Sequence, residues 1–182
     1  FIPEHRVMRV SDAREGEAPG SKVHENALYR APFSPFLCLI AVMPLVAVAR
    51  GVSEHATQRA KEFVSTYSGQ KSIDNPALQI RLAKADLASR AAETLLDDLT
   101  STLEWHTYHS KPTMDDRVTM RAKASYIATL CRDAVTLLAQ GSGASAHMKD
   151  SPIQRAMRDL NMASCHVVFD QDPTMELHGK ML

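Results

Sequence analysis

Aromatic side chains are scarce here: Phe, Tyr and Trp make up 5% of the 182 residues. Their shortage removes residues that favour strands, and the abundance of Ala, Leu and Met favours helix. Net charge is lacking too. Lysine plus arginine and aspartate plus glutamate stand at 21 each, so no electrostatic excess draws the chain to nucleic acid or to an anionic membrane. Cysteine is sparse as well: Cys38, Cys131 and Cys165 lie far apart in apolar segments and form no CxxC pair. They read as buried free thiols in a reducing compartment, and a cytoplasmic location follows as the expectation. The longest apolar run, Phe36 to Ala49, covers 14 residues and contains Pro44. A bilayer needs ~20 residues, so the run reads as a core helix. No charged n-region followed by a small-residue cleavage site opens the chain, so no signal peptide is expected. Phe1 in place of methionine fits a chain whose beginning lies elsewhere.

What is present is ordinary for one well-filled core: 45% hydrophobic and 23% charged residues. Alternation in Arg6-Val7-Met8-Arg9-Val10 suits a short strand. From residue 11 to 35, Asp12, Gly16, Pro19, Gly20, Pro32 and Pro35 form a density of breakers that reads as a loop. Four long helices should follow. The first runs from Ser34 to Ser68, with Pro44 and Gly51 as bend points. The second starts with Asp74 as N-cap and Pro76 in its first turn, carries Leu78, Leu82, Ala85, Ala92, Leu96, Leu99 and Leu103 on one face, and stops before Lys111-Pro112. A third begins near Thr113, where Asp115 and Asp116 suit the helix dipole, and shows Met120, Ala124, Ile127, Cys131, Ala134 and Leu138 on one face until Gly141-Ser142-Gly143. The fourth is capped by Ser151, has Pro152 at its first position and continues to Asp170. The fold expected is all-α: an antiparallel four-helix bundle over residues 34–182, preceded by a short strand and an irregular segment.

Few residues carry chemistry by pattern alone. His106 and His109 share a helical face, a spacing that can start a metal site, but no carboxylate or cysteine is evidently paired with them. They read as a solvated helix end, with no metal expected. Gly141-Ser142-Gly143 lacks the GxxxxGK[ST] form and a preceding strand, and reads as a helix connection. His166 is open between an imidazole packed among helices and one that handles protons near neutral pH. Asp170 either orients that imidazole across one helical turn or is a surface aspartate.

The segment from Gln140 to Asp170 adds a family resemblance. Gln140-x-x-Gly143, Pro152 nine residues on, and Arg158-Asp159 six beyond that are similar to the last two helices of the acyl-CoA dehydrogenase fold, in the branch formed by oxygenase components of two-component flavin-dependent monooxygenases. Phe1-Ile2-Pro3-Glu4-His5-Arg6-Val7 also resembles the last strand of the family's middle β-domain. The resemblance therefore implies the end of a β-domain and a linker over 1–33, with the C-terminal bundle over 34–182. Common acyl-CoA dehydrogenases place a glutamate base where this chain has His166-Val167. Valine cannot ionise, so proton abstraction from this position is excluded, and His166 matches the histidine that faces the flavin in the monooxygenase branch.

Further site residues come from the same resemblance. Arg30-Ala31-Pro32-Phe33 is similar to an Arg-x-x-Phe that touches flavin, with Arg30 otherwise an exposed loop arginine. Gln140 and Gly143 match a motif lying against a neighbouring subunit's dinucleotide, although Gly143-Ala144 stands where Gly-Gly is usual. Arg158-Asp159 matches a structural ion pair at a helix interface. The implied protein is a hydroxylase using reduced FMN or FAD from a separate flavin reductase, acting on a small-molecule substrate and assembling as a homotetramer. Two rivals remain: an acyl-CoA dehydrogenase-type oxidoreductase with its base on another helix, and a non-catalytic helical oligomerisation module.

Overall fold

A computed structural model describes residues 1–66 and 68–182 and is helical nearly throughout. Two short helices open the chain, α1 (Val10–Arg14) and α2 (Pro19–Val23), and three long ones follow: α3 (Phe33–Glu62), α4 (Pro76–Tyr108) and α5 (Met114–Gly141). Then come α6 (Pro152–Ser164) and α7 (Gln171–Gly179). Neighbouring long helices run antiparallel, as their cross-links show. Arg50 and Ser53 of α3 meet Glu93 and Ser89 of α4 in reversed order, and Asp98 and His106 of α4 meet Lys123 and Asp116 of α5 in the same way.

The core stripe expected on α5 is buried in full: Met120, Ala124, Ile127, Cys131, Ala134 and Leu138 are each at most 1% exposed. On α4, Leu78, Ala85, Ala92, Leu99 and Leu103 are buried, while Leu82 and Leu96 pack half-buried at the margin. α3 runs unbroken through Pro44 and Gly51. It is long and apolar enough to cross a membrane by composition, and one face of it, Val42 and Ala49 included, packs into the core.

Several boundaries differ from the sequence reading. Among the described residues no strand is present; Glu4–Arg6 forms a 3₁₀ turn instead. A strand needs a paired neighbour, and here the amides of Arg6 and Val7 are met locally by the carbonyls of Pro3 and Glu4. α3 stops at Glu62, short of Ser68. Beyond it Ser72 N–H donates to Phe63 and Ser65 N–H to Gln70, closing a loop around Gly69 at φ +66°. Tyr67, inside the expected span, lies outside the described residues. The α4 cap is Asn75 rather than Asp74: Pro76 fills the first helical position, so the residue before it caps, and Asn75 Oδ1 accepts from Ala77 N–H at 2.9 Å. Ser151 sits at the cap of α6 but its hydroxyl makes no capping bond.

The largest departure is at the end. α6 has 13 residues and stops at Ser164 instead of running to Asp170. A 3₁₀ turn, Val167–Phe169, interrupts, and α7 then packs against α5. The backbone tightens here, Cys165 N–H donating to Met162 O and His166 N–H to Ala163 O, while Cys165 Sγ meets the Asn161 carbonyl.

At the start of α5 a capping box forms. Thr113 Oγ1 accepts from Asp116 N–H at 3.2 Å and donates to Asp116 Oδ2 at 2.6 Å, while Thr113 N–H reaches the same carboxylate at 2.8 Å. The Thr113 hydroxyl, then its amide, then the nearby His106 hold the Asp116 carboxyl below its ordinary value. Thr113→Ala should cost about 1 kcal/mol of stability in chemical denaturation. Because the folded value is depressed, the carboxylate's contribution is present above 3.8 and disappears as pH falls from there through the lower folded value. The stability gap between wild type and Asp116→Asn should therefore close across that acid window.

Candidate functional site

His166 occupies the N-cap of the 3₁₀ turn rather than a helix interior. Its Nδ1 accepts from Val168 N–H at 3.2 Å. That bond selects the neutral tautomer with the proton on Nε2, so the ring offers a donor outward. The imidazole is exposed, with the Phe169 ring beneath it at 6.2 Å between centroids. Val168 and Phe169 are buried in the core and anchor the turn. The turn's carbonyls are tied to α5: Arg121 Nη2 donates to Val167 O at 2.9 Å, and Ser125 Oγ donates to Phe169 O at 2.9 Å. Asp170 caps α7 by position only, and because residues 166–170 do not continue a helix it does not orient the imidazole.

Arg30 ends a 3₁₀ turn, Ala27–Arg30, that packs against α4. Its Nη2 donates to Glu25 O at 3.2 Å and the side chain is exposed. Phe33 opens α3 and is 42% exposed. Both lie at the end of the bundle where α4 gives way to α5, since their neighbours Leu28 and Phe36 line one recess with Leu103 and Tyr108, and Arg121, which holds the His166 turn, follows within the first turns of α5. Gly16 supports this end at φ +70°; a Cβ there would sit 2.3 Å from the Arg30 carbonyl oxygen. Beside it, Leu28, Phe36, Leu39 and Leu103 line a recess of about 340 Å³ with Glu104 and Tyr108 at its edge.

Gln140 and Gly143 are at the opposite end. Nineteen residues of α5 separate Arg121 from Gln140, roughly 28 Å along a helix axis. Gln140 is exposed. Gly141, not Gly143, is the close-approach glycine: a Cβ on it would meet Leu78 Cδ1 at 2.8 Å, whereas Gly143, at φ +70°, faces open space. A cleft of about 490 Å³ lies between this connection, the end of α3 and the start of α4. Arg59, Lys71, Ser65, Ser72 and Ser142 line it. Arg59 packs over the Phe63 ring and donates to Ser145 Oγ at 2.6 Å. Asp74 also lines the cleft, so two cations and several hydroxyls stand against one carboxylate, a balance that leaves one positive charge for an anionic group. Sequence reading missed Arg59 and Lys71; the cue available was the Gly69 turn that folds Lys71 back toward α3.

Other expectations are corrected. His106 is not solvated: its side chain is 8% exposed, Nε2 lies 3.7 Å from Asp116, and Nδ1 is 3.1 Å from Ser110 O. Its neighbour His109 is exposed and stacks on Trp105 at 5.1 Å. No group of three or more potential metal ligands occurs among the described residues. All three cysteines are free, but Cys165 is exposed because α6 ends there. Burial pushes the Cys38 thiol up and that of Cys131 to about 12. Arg158 and Asp159 form an exposed pair that Arg155 shares, rather than a contact at a helix interface.

An all-α fold with these helices in this order matches a known class. The profile described as Acyl-CoA dehydrogenase, C-terminal domain, matches residues 39–171. The chain belongs to the acyl-CoA dehydrogenase family, as its C-terminal helical domain. It is 36% identical over 99% of its length to a pigment production hydroxylase from a Rhodococcus strain, and 27% identical over its whole length to the oxygenase component of p-hydroxyphenylacetate 3-hydroxylase from Acinetobacter baumannii. It covers 46% and 44% of those proteins, under half of their length. In fold it is similar to the Streptomyces protein XiaF, solved with FADH2 and glycerol, with TM-score 0.84 and 20% identity over 98% of this chain and 46% of that one.

Gly16→Ala should destabilise the protein by about 1–2 kcal/mol through its left-handed backbone alone. The clash adds to this by displacing the Arg30 carbonyl, and faster proteolysis within residues 15–32 than in wild type is the measurement that checks it.

Proposed function

We propose that this chain is the C-terminal helical part of the oxygenase component of a two-component, reduced-flavin-dependent hydroxylase. The observation that carries the reading is the docked turn, which presents an Nε2–H donor at His166 where acyl-CoA dehydrogenases of the common type hold a carboxylate base. Its neighbour Val167 offers no ionisable group. The names of relatives that align along nearly this whole chain support the same reading.

The side chains present fit a flavin. At one end an uncommitted imidazole donor, the Arg30 cation and the half-open Phe33 ring suit an electron-rich, planar ring system with hydrogen-bonding edges. At the other end the Arg59 and Lys71 cleft beside Gly143 suits a phosphate-bearing tail. With the two ends so far apart, one flavin does not span them, and two different flavins shared between subunits of a homotetramer account for both sets. When bound, reduced flavin supplies the electrons and the site of oxygen activation. The chain's own share is to hold a proton at His166 Nε2, to place Arg30 and Phe33, and to limit water. A separate flavin reductase supplies the reduced cofactor, as the oxygenase-component name of the Acinetobacter relative indicates for that protein. The substrate is a small hydroxylatable molecule. Three unpaired cysteines support a reducing, cytoplasmic setting.

Stopped-flow mixing of the complete protein, loaded with reduced FAD or FMN, against oxygenated buffer tests this. His166→Ala should hasten the return of oxidised-flavin absorbance by on the order of tenfold, the effect of losing one strong hydrogen bond, with hydrogen peroxide as the product. An unchanged rate in that variant would sink the assignment of His166.

A further inference from the structure

We infer that Arg121 is the positioning residue for His166, acting through the main chain of the 3₁₀ turn; this rests on the reading of His166 given above. The turn has few bonds of its own: Phe169 N–H donates to His166 O at 2.8 Å and Val168 N–H to the imidazole Nδ1 at 3.2 Å. The second of these is what orients the ring, so the direction of the ring follows the plane of the Val167–Val168 peptide. Arg121 holds the other face of that same peptide unit, because its Nη2 donates to Val167 O at 2.9 Å. One peptide group is thus pinned at both ends, by a guanidinium at its carbonyl and by the imidazole at its N–H.

A second tether fixes the far side of the turn. Four residues along α5, on the same face as Arg121, Ser125 Oγ donates to Phe169 O at 2.9 Å and accepts from Gln171 Nε2 at 2.6 Å. Ser125 is fully buried and neutral, and its two hydrogen bonds, together with the buried Phe169 side chain, anchor the far side of the turn. Arg121 differs. Its bond is charge-assisted, it reaches the peptide adjacent to His166, and its Nε is buried with no partner among the described residues. A guanidinium kept in place with a buried N–H unmet is held by its remaining bonds, and among the described residues the Val167 carbonyl is the one hydrogen-bond partner it has.

The test uses the complete protein loaded with reduced FAD and mixed with oxygenated buffer, comparing Arg121→Met, Arg121→Lys, His166→Ala and the double variant Arg121→Met/His166→Ala. Expected are a several-fold faster return of oxidised flavin in Arg121→Met, partial rescue by Arg121→Lys, and a double variant no faster than His166→Ala alone. A purely structural role predicts instead that the two single effects multiply in the double variant, and that result would overturn the inference while leaving His166 in place. Wild-type behaviour of Arg121→Met would overturn it too. Should His166→Ala itself behave as wild type, the function assigned to His166 fails and Arg121 has nothing to position. Arg121→Lys, which keeps the charge and a donor, carries the comparison if the methionine variant does not fold: its rate must then lie between those of wild type and His166→Ala, and a wild-type rate or one beyond His166→Ala rejects the inference.

Discussion

α5 has to satisfy neighbours on most of its circumference at once. It packs against α3, α4, α6 and α7, and twelve of its residues are buried, from Val118 to Ala139. Six of those twelve are alanine or serine. A small side chain lets a neighbouring backbone come close, and alternating them with Met120, Ile127 and Leu138 fills the space without voids. The long helices and the C-terminal elements pack on it, while α1 packs on α3 and α2 beside the Ala27–Arg30 turn. The antiparallel pairs lie along it, and the turn that bears His166 is seated on it.

The polar groups of α5 extend that role from packing to chemistry. Near its first turns it is capped by its own Thr113 and Asp116, and the same carboxylate faces the largely buried ring of His106 on α4. Two turns on, Arg121 and Ser125 reach sideways to carbonyls of a distant segment. At its far end Gly141 lets the Leu78 and Arg81 side chains of α4 approach so closely that a Cβ would have to displace the tip of Leu78. The helix thus sets the geometry at both ends of the bundle by different means: hydrogen bonds to main chain at one end, and the absence of a Cβ at the other.

Much of this was legible in the sequence. Apolar spacing on α4 and α5 gave the core face, and Thr113, Pro76 and Pro152 marked helix starts, because these signals depend on residues near one another in the chain. The end of α6 was not legible. Ser164 and Cys165 weaken the helix locally, but what holds the turn is Arg121 and Ser125, more than forty residues away. Pro173, in the first turn of α7, was the one local hint that a new helix begins. The strand expected near Val7 failed for a related reason, since alternation describes a strand only where another strand pairs with it. Among site residues, family resemblance pointed to Arg30, Phe33, Gln140, Gly143 and His166, whereas Arg59 and Lys71 meet across a loop whose closure no spacing reveals.

The separation of the two polar ends along one straight, densely filled rod has an evolutionary corollary. The imidazole turn and the remote cleft share no lining residue, and the stretch of α5 between them buries mostly small and aliphatic side chains, so a substitution at the turn removes no contact of the cleft. Change can therefore accumulate at one extremity while the arrangement at the other stays as it was.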